Sequence, residues 1–208
     1  MSDVNQGVDM APDRVEQSRA MVLKLATREL HEQIDARMMA AKLFDDRERY
    51  GRFLRLQHAF HWLTEALYRD AELNRWLPGL AERERFSAVD QDCRDLGVVV
   101  PTPAAAKLAP PMDASERARA LGWLYVNEGS NLGAAFLYKY AASLGLDGEF
   151  GARHLAPHPE GRGLHWRQFA AQIDAAPIEP EHEQAVILGA REAFETVLKL
   201  GETLRDDA

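Results

Sequence analysis

The stretch Leu121 to Leu146 constrains the fold more than any other part of the chain. It holds no proline and is rich in Ala, Leu and aromatic residues, so it is predicted to form one helix. Tyr125, Gly129, Gly133, Phe136 and Tyr140 recur at steps of four, four, three and four, which places all five on one stripe. Aromatic rings stand at its ends, and two glycines leave bare backbone between them. An interior glycine costs about 0.5–1 kcal/mol relative to alanine. Two of them one turn apart therefore predict either a large flat ligand against the notch or a second helix packed closely there. Asn127, Glu128, Asn131 and Lys139 interrupt the segment and argue against a membrane-spanning dimer.

The rest of the chain extends the helical reading. Apolar residues recur at helical spacing over about 13–42, 46–70, 72–78, 81–96, 114–145, 164–174 and 180–205. Val186, Ile187, Ala190, Phe194, Val197, Leu198 and Leu204 form a stripe on the last of these. Asp113-Ala114-Ser115-Glu116 offers capping chemistry before the long middle helix. Only Gly97–Val100 has strand character, and Pro101 ends it. Pro101–Pro111, with four prolines, and Gly148–Gly163, with four glycines and two prolines, are connections. The expectation is a single all-α domain over 13–208, preceded by a flexible polar arm at 1–12.

Composition narrows the class. With 208 residues, 46% of them hydrophobic, the chain can bury a substantial core. A net charge of −8 argues against nucleic acid and anionic membranes as partners. No apolar run reaches the length of a membrane span, and the N-terminus has no apolar signal core. The single cysteine, Cys93, excludes an internal disulfide and a cysteine metal cluster, and a cytoplasmic location is expected.

The first helix carries the second candidate face. Lys24, His31, Asp35 and Met38 fall within about 60° of one another at helical spacing, and Thr27 lies one turn before His31. Asp35 can reach the imidazole of His31 across one turn, as carboxylates do behind metal-bound histidines; the pair is equally compatible with an ordinary helix surface. No companion ligand stands at zinc spacing. A lone histidine suits a metal whose other ligands come from a macrocycle, as in heme, and a macrocycle needs a bare surface on its opposite side. The Gly129/Gly133 notch would provide one.

These residues resemble a known family. Gly122-Trp-Leu-Tyr-Val-Asn-Glu-Gly-Ser-Asn-Leu-Gly-Ala-Ala-Phe-Leu-Tyr-Lys139 looks like the distal-helix signature of bacterial biliverdin-producing heme oxygenases. Leu25-Ala-Thr-Arg-Glu-Leu-His31 resembles their proximal helix, and Gly151–Trp166 their loop before the penultimate helix. The resemblance runs from about residue 20 to 204. It implies an all-α fold with heme between proximal and distal helices, and heme as both substrate and cofactor. His31 would be the iron ligand, with Asp35 behind it and Thr27 beside it. Gly129, Ser130, Gly133, Phe136 and Tyr140 would line the distal side. Lys24 and Tyr125 match positions that hold a propionate in members cleaving at the α-meso carbon. Gln57 and His61 match a distal water network. Tyr140 departs from members that carry a lysine there and cleave elsewhere.

The implied products are biliverdin, carbon monoxide and ferrous iron, from O2 and electrons supplied externally. The sequence has no flavin, nicotinamide or iron–sulfur fingerprint, so the donor would be a ferredoxin or a flavin-dependent reductase. The activity would serve iron release or bilin supply, with a heme-uptake protein upstream or a bilin-binding photoreceptor downstream. Two alternatives stand beside it: a non-enzymatic heme carrier or chaperone, and a helical interaction module without ligand. The remaining histidines, His58, His154, His158, His165 and His182, show no metal spacing; Arg153, Arg162 and Arg167 read as loop or surface charges.

Overall fold

The computed structural model describes residues 18–101 and 106–203; the expected arm at 1–12 lies outside them. Among the described residues eight α-helices run in the order α1 (Arg19–Ala26), α2 (Arg28–Ala41), α3 (Arg47–Tyr68), α4 (Ala71–Trp76), α5 (Phe86–Asp95), α6 (Ala114–Ser143), α7 (Arg162–Ala175) and α8 (Glu183–Thr203). There is no strand among the described residues: Gly97–Val100 is a turn followed by extended chain.

Side-chain caps set most of the starts. Ser18, Asp46 and Asp70 each accept from a backbone N–H in the first turn of the helix they precede. Asp113 and Glu116 cap α6 reciprocally in a capping box. At 1.5 Å per residue this helix of 30 residues is about 45 Å long and runs through the whole molecule.

The expected first helix is in fact two. Thr27, at φ −112° and ψ 2°, separates α1 from α2. The hydrogen-bond ladder continues through it, from Thr27 N to Leu23 O and from His31 N to Thr27 O, both at 3.0 Å. The Thr27 hydroxyl also donates to the Leu23 carbonyl, at 2.8 Å. Such back-bonding bends helices, so the regular phase assumed between Lys24 and His31 is broken there. The expected helix at 81–96 likewise begins as a single 3-10 turn, Ala81–Arg83, before α5.

The core lies where α6 crosses α8. At Gly122, a Cβ would stand 2.5 Å from the Ala190 nitrogen and closer still to the Val186 carbonyl oxygen. Gly189 answers from α8, where a Cβ would come within 2.8 Å of the Arg119 carbonyl carbon. The two backbones touch, and only glycine fits on either side. Leu121, Leu124, Val186, Ala190, Phe169 and Ile173 close over this crossing, all fully buried. Arg19 ties α1 to α8 through Glu183 at 2.7 Å.

Candidate functional site: a cleft between α2 and the open half of α6

The helix α2 buries none of its residues. Its His31 is 61% exposed, with Nδ1 3.1 Å from a carboxylate oxygen of Asp35. The ring edge rests against Phe194 of α8, at 5.7 Å between centroids. Asp35 thus engages one ring nitrogen and leaves Nε2 available to a ligand. Lys24 is exposed in the last turn of α1. Thr27, in contrast, is buried with its hydroxyl held by Leu23, so it shapes the helix path and does not offer that hydroxyl to a ligand.

The helix α6 divides at its middle. Residues 120–128 are all buried, whereas Gly129 is half-buried and Ser130 and Gly133 are exposed. Ser130 turns its hydroxyl back to the Asn127 carbonyl. A Cβ added at Gly133 would meet nothing within 4 Å, and one at Gly129 would meet only the Trp166 ring, at 3.5 Å. Phe136 and Tyr140 continue the stripe at 68% and 50% exposure. Tyr125 ends it on the buried side, its ring tilted against Trp166 and its phenol pushed up to about 12 by burial. The close helix contact that small residues allow is therefore at Gly122, and Gly129 and Gly133 sit on an open apolar face.

Both α2 and α6 pack against α8, and we take the space between their open faces as the candidate cleft. Phe44, in the turn after α2, meets Tyr140 at 6.0 Å and joins the two walls at one end. A solvent-facing imidazole on one wall and bare backbone flanked by aromatic rings on the other fit an iron macrocycle: one axial nitrogen, and a surface on which no side chain holds the ring away. Among the described residues no group of three or more His, Cys, Asp or Glu is placed to hold a metal ion. A cavity of about 280 Å³ is lined by Ile34 and Met38 of α2 together with Leu56 of α3 and Val197 and Leu198 of α8.

The profile of the heme oxygenase family matches residues 17–203. The chain belongs to the heme oxygenase family. It is 41% identical over 186 residues to heme oxygenase PigA of Pseudomonas aeruginosa, covering 89% of this chain and 92% of that one. It also superposes on the NO- and CO-bound heme oxygenase of Neisseria meningitidis with a TM-score of 0.82 and 43% identity, over 90% and 92% of the two chains. No helix among the described residues is long and apolar enough to cross a membrane.

In this member of the family a polar layer lies behind the cleft, and local spacing could not reveal it. Of the two α3 residues read from the sequence, Gln57 is half-buried and His61 is buried. Burial, then the neighbouring His154, Arg85 and His58, pushes the His61 pKa down to about 3, so its imidazole is neutral. His154 lies in the Gly148–Gly163 connection, in a 3-10 turn. It is 2% exposed, with Nδ1 2.7 Å from the wholly buried Asp92. Asp92 also accepts the backbone N–H groups of Arg153 and His154, at 3.0 Å each. Nε2 of His154 is buried with no partner among the described residues, and so is Oδ1 of Asn127, whose amide nitrogen donates to Thr64. Arg153 anchors the same loop on Asp92 and Asp95, and Arg162 anchors it on the Leu155 carbonyl.

A neutral buried histidine makes the fold acid-sensitive. On unfolding, His61 regains its ordinary pKa of about 6.5 and takes up a proton that the folded chain refuses. Its contribution to stability is complete above pH 6.5 and declines as the pH falls toward about 3. Between pH 6.5 and 4.5 the loss from this residue is about 2–3 kcal/mol, and His58 and His154, also lowered chiefly by burial, act in the same direction. Urea melts at pH 7.5 and 4.5 should show the His61→Gln chain losing less stability on acidification than the parent. An equal loss in both would place the acid sensitivity elsewhere.

Proposed function

We propose that the chain cleaves heme oxidatively to biliverdin, carbon monoxide and ferrous iron, with heme bound in the cleft between α2 and α6. The observation that carries this reading is the pairing of an exposed, Asp35-supported His31 with the open glycine face at Gly133. Bound heme supplies the iron at which O2 is reduced and the porphyrin carbon that is oxidised.

The chain's residues do the rest. His31 Nε2 would hold the heme iron, with the Asp35 carboxylate fixing the imidazole through Nδ1. Bare backbone at Gly129 and Gly133 would let the macrocycle lie close to α6, with little room left on that side. Phe136 and Tyr140 cover apolar parts of the ring. Gln57 and His61 order the proton supply: a neutral imidazole passes a hydrogen bond through one nitrogen while accepting through the other, without placing a strong acid over the ring. Electrons come from an external donor, a ferredoxin or a flavin-dependent reductase.

Hemin added to the purified chain should give a Soret band; reductant in air should then remove it with growth of biliverdin absorption. A Soret band that persists under these conditions would identify a carrier instead, and no Soret band at all would identify a protein-interaction module.

We also propose α regiochemistry. Two seatings that differ by about 1.4 kcal/mol give a tenfold preference, within reach of the Lys24 cation and the Tyr125 hydroxyl acting together on the propionates. Chromatography of the biliverdin isomers should show the α isomer from the parent and a mixture from the Lys24→Asn, Tyr125→Phe double variant. An unchanged ratio would mean that cavity shape alone seats the ring.

A further inference from the structure

The polar layer behind the cleft holds acceptors without donors. Asp92 is wholly buried and takes N–H groups from the backbones of Arg153 and His154, the Arg153 guanidinium and the His154 ring. Burial by itself would raise its pKa, but the hydrogen bonds from His154 and Arg153 outweigh it and hold the carboxyl below its ordinary range. Asp92 is thus an anion that can only accept. It fixes the tautomer of His154: the proton sits on Nδ1, 2.7 Å from the carboxylate, and Nε2 is a bare acceptor. Burial lowers the His154 pKa and keeps the ring neutral.

That bare nitrogen is buried and has no partner among the described residues. His58 repeats the pattern on α3: its Nε2 meets Asp90 at 3.3 Å, and its Nδ1 is buried and unpartnered among the described residues. Asn127 Oδ1 is in the same condition, on a side chain whose nitrogen reaches Thr64, three residues after His61. His61 lies among them. It is 4% exposed, and after burial the neighbours that act on it are His154, Arg85 and His58, in that order. Arg85 turns its Nη1 to the carbonyls of His154 and Ala156. A neutral imidazole carries one N–H, so His61 alone cannot serve these acceptors. Water is a donor small enough to stand in such a layer, where a buried water makes about three hydrogen bonds to groups otherwise unpaired.

We propose that Asp92 and His154 are a positioning pair for His61: His154 Nε2 holds one buried water, and that water accepts the His61 N–H and so fixes which nitrogen of His61 stays free for the proton supply. The water donates one hydrogen to His154, which the Asp92 carboxylate makes a stronger acceptor from behind, and takes the His61 proton on a lone pair. Neither Asp92 nor His154 is asked to touch the substrate. The consequence for turnover rests on the proposed heme cleavage; the water and the tautomer are properties of the heme-free chain.

The test reads the heme-free, full-length chain first. Nitrogen-15 NMR should show His154 protonated at Nδ1 alone and His61 in a single tautomer. In His154→Phe the His61 signals should move to the other tautomer or to an average of the two. High-resolution crystals of the parent should show an ordered water within hydrogen-bond distance of both His154 Nε2 and the His61 ring, a readout that stands even where the variant fails to fold. Loaded with heme, His154→Phe should keep the Soret band and the KM for heme and lose about tenfold in kcat, part of what positioned proton transfer supplies. Parent crystals with no such water, a His61 tautomer unchanged in His154→Phe, or a variant with the parent's kcat would each overturn the proposal. A parent chain that forms no biliverdin would instead overturn the heme-cleavage reading, and the water and tautomer results would still decide the pair's role toward His61.

Discussion

His31→Ala should abolish biliverdin formation while leaving the helical circular dichroism almost unchanged. The side chain is 61% exposed, its pairing with Asp35 is a surface contact, and its ring meets Phe194 in an edge contact. A surface pair contributes about 0–1 kcal/mol, so the thermal stability of the heme-free protein should shift little. The chemistry should shift greatly, because among the described residues no other imidazole stands on α2. Added imidazole should refill the vacated axial position and restore part of the turnover. Resonance Raman provides the direct check: the iron–histidine stretch should vanish in the variant, and its persistence would assign the ligand to another residue.

Gly122 and Gly133 are eleven residues apart on one helix and should respond to substitution in opposite ways. Gly122→Ala drives a Cβ into the backbone of α8, which no side-chain rotation can relieve. The helices must separate across the main core contact, and overpacking of this kind costs about 1–3 kcal/mol or more, far more than the helix propensity gained. Gly133→Ala meets open space and should stabilise the heme-free protein by about 0.5–1 kcal/mol. Gly133→Leu should still fold, yet lose turnover at least tenfold as its side chain takes the place of the macrocycle. Urea melts paired with single-turnover assays would check all three variants. Normal turnover in Gly133→Leu would contradict a heme seat on that face.

What could be read in advance follows from the range of the interactions. The α6 start was legible because a capping box is complete within four residues, Asp113 to Glu116. The stripe from Tyr125 to Tyr140 was legible because helical periodicity is local; the structure buries its Tyr125 end and leaves Gly133, Phe136 and Tyr140 exposed. The bend at Thr27 carried no glycine or proline to mark it; a threonine hydroxyl returning to the fourth residue back made it. Glycine spelling alone could not tell Gly122, which touches a neighbouring backbone, from Gly133, which touches nothing, since that distinction depends on where α8 arrives. The Asp92–His154 pair joins residues sixty-two apart in sequence, and the Glu128 carboxylate accepts from Tyr68 and Arg83 on two other segments. No spacing rule reaches such contacts, and only the folded chain brings them together.

The lack of any buried residue on α2 has a consequence for the catalytic cycle. A helix that offers the core only the half-buried Leu30, Ile34 and Met38 is held locally by little, and such elements open at a small fraction of the global unfolding free energy. On the proposed reading, the flat substrate becomes the missing piece of interior between α2 and α6, and its binding energy adds to the stability of the fold by mass action. Oxidation then destroys the piece that was holding the walls together, because an opened chain of pyrroles no longer fills a slot shaped for a disc. Each turnover would dismantle part of the enzyme's own core, and the loosened proximal wall would give the product its way out.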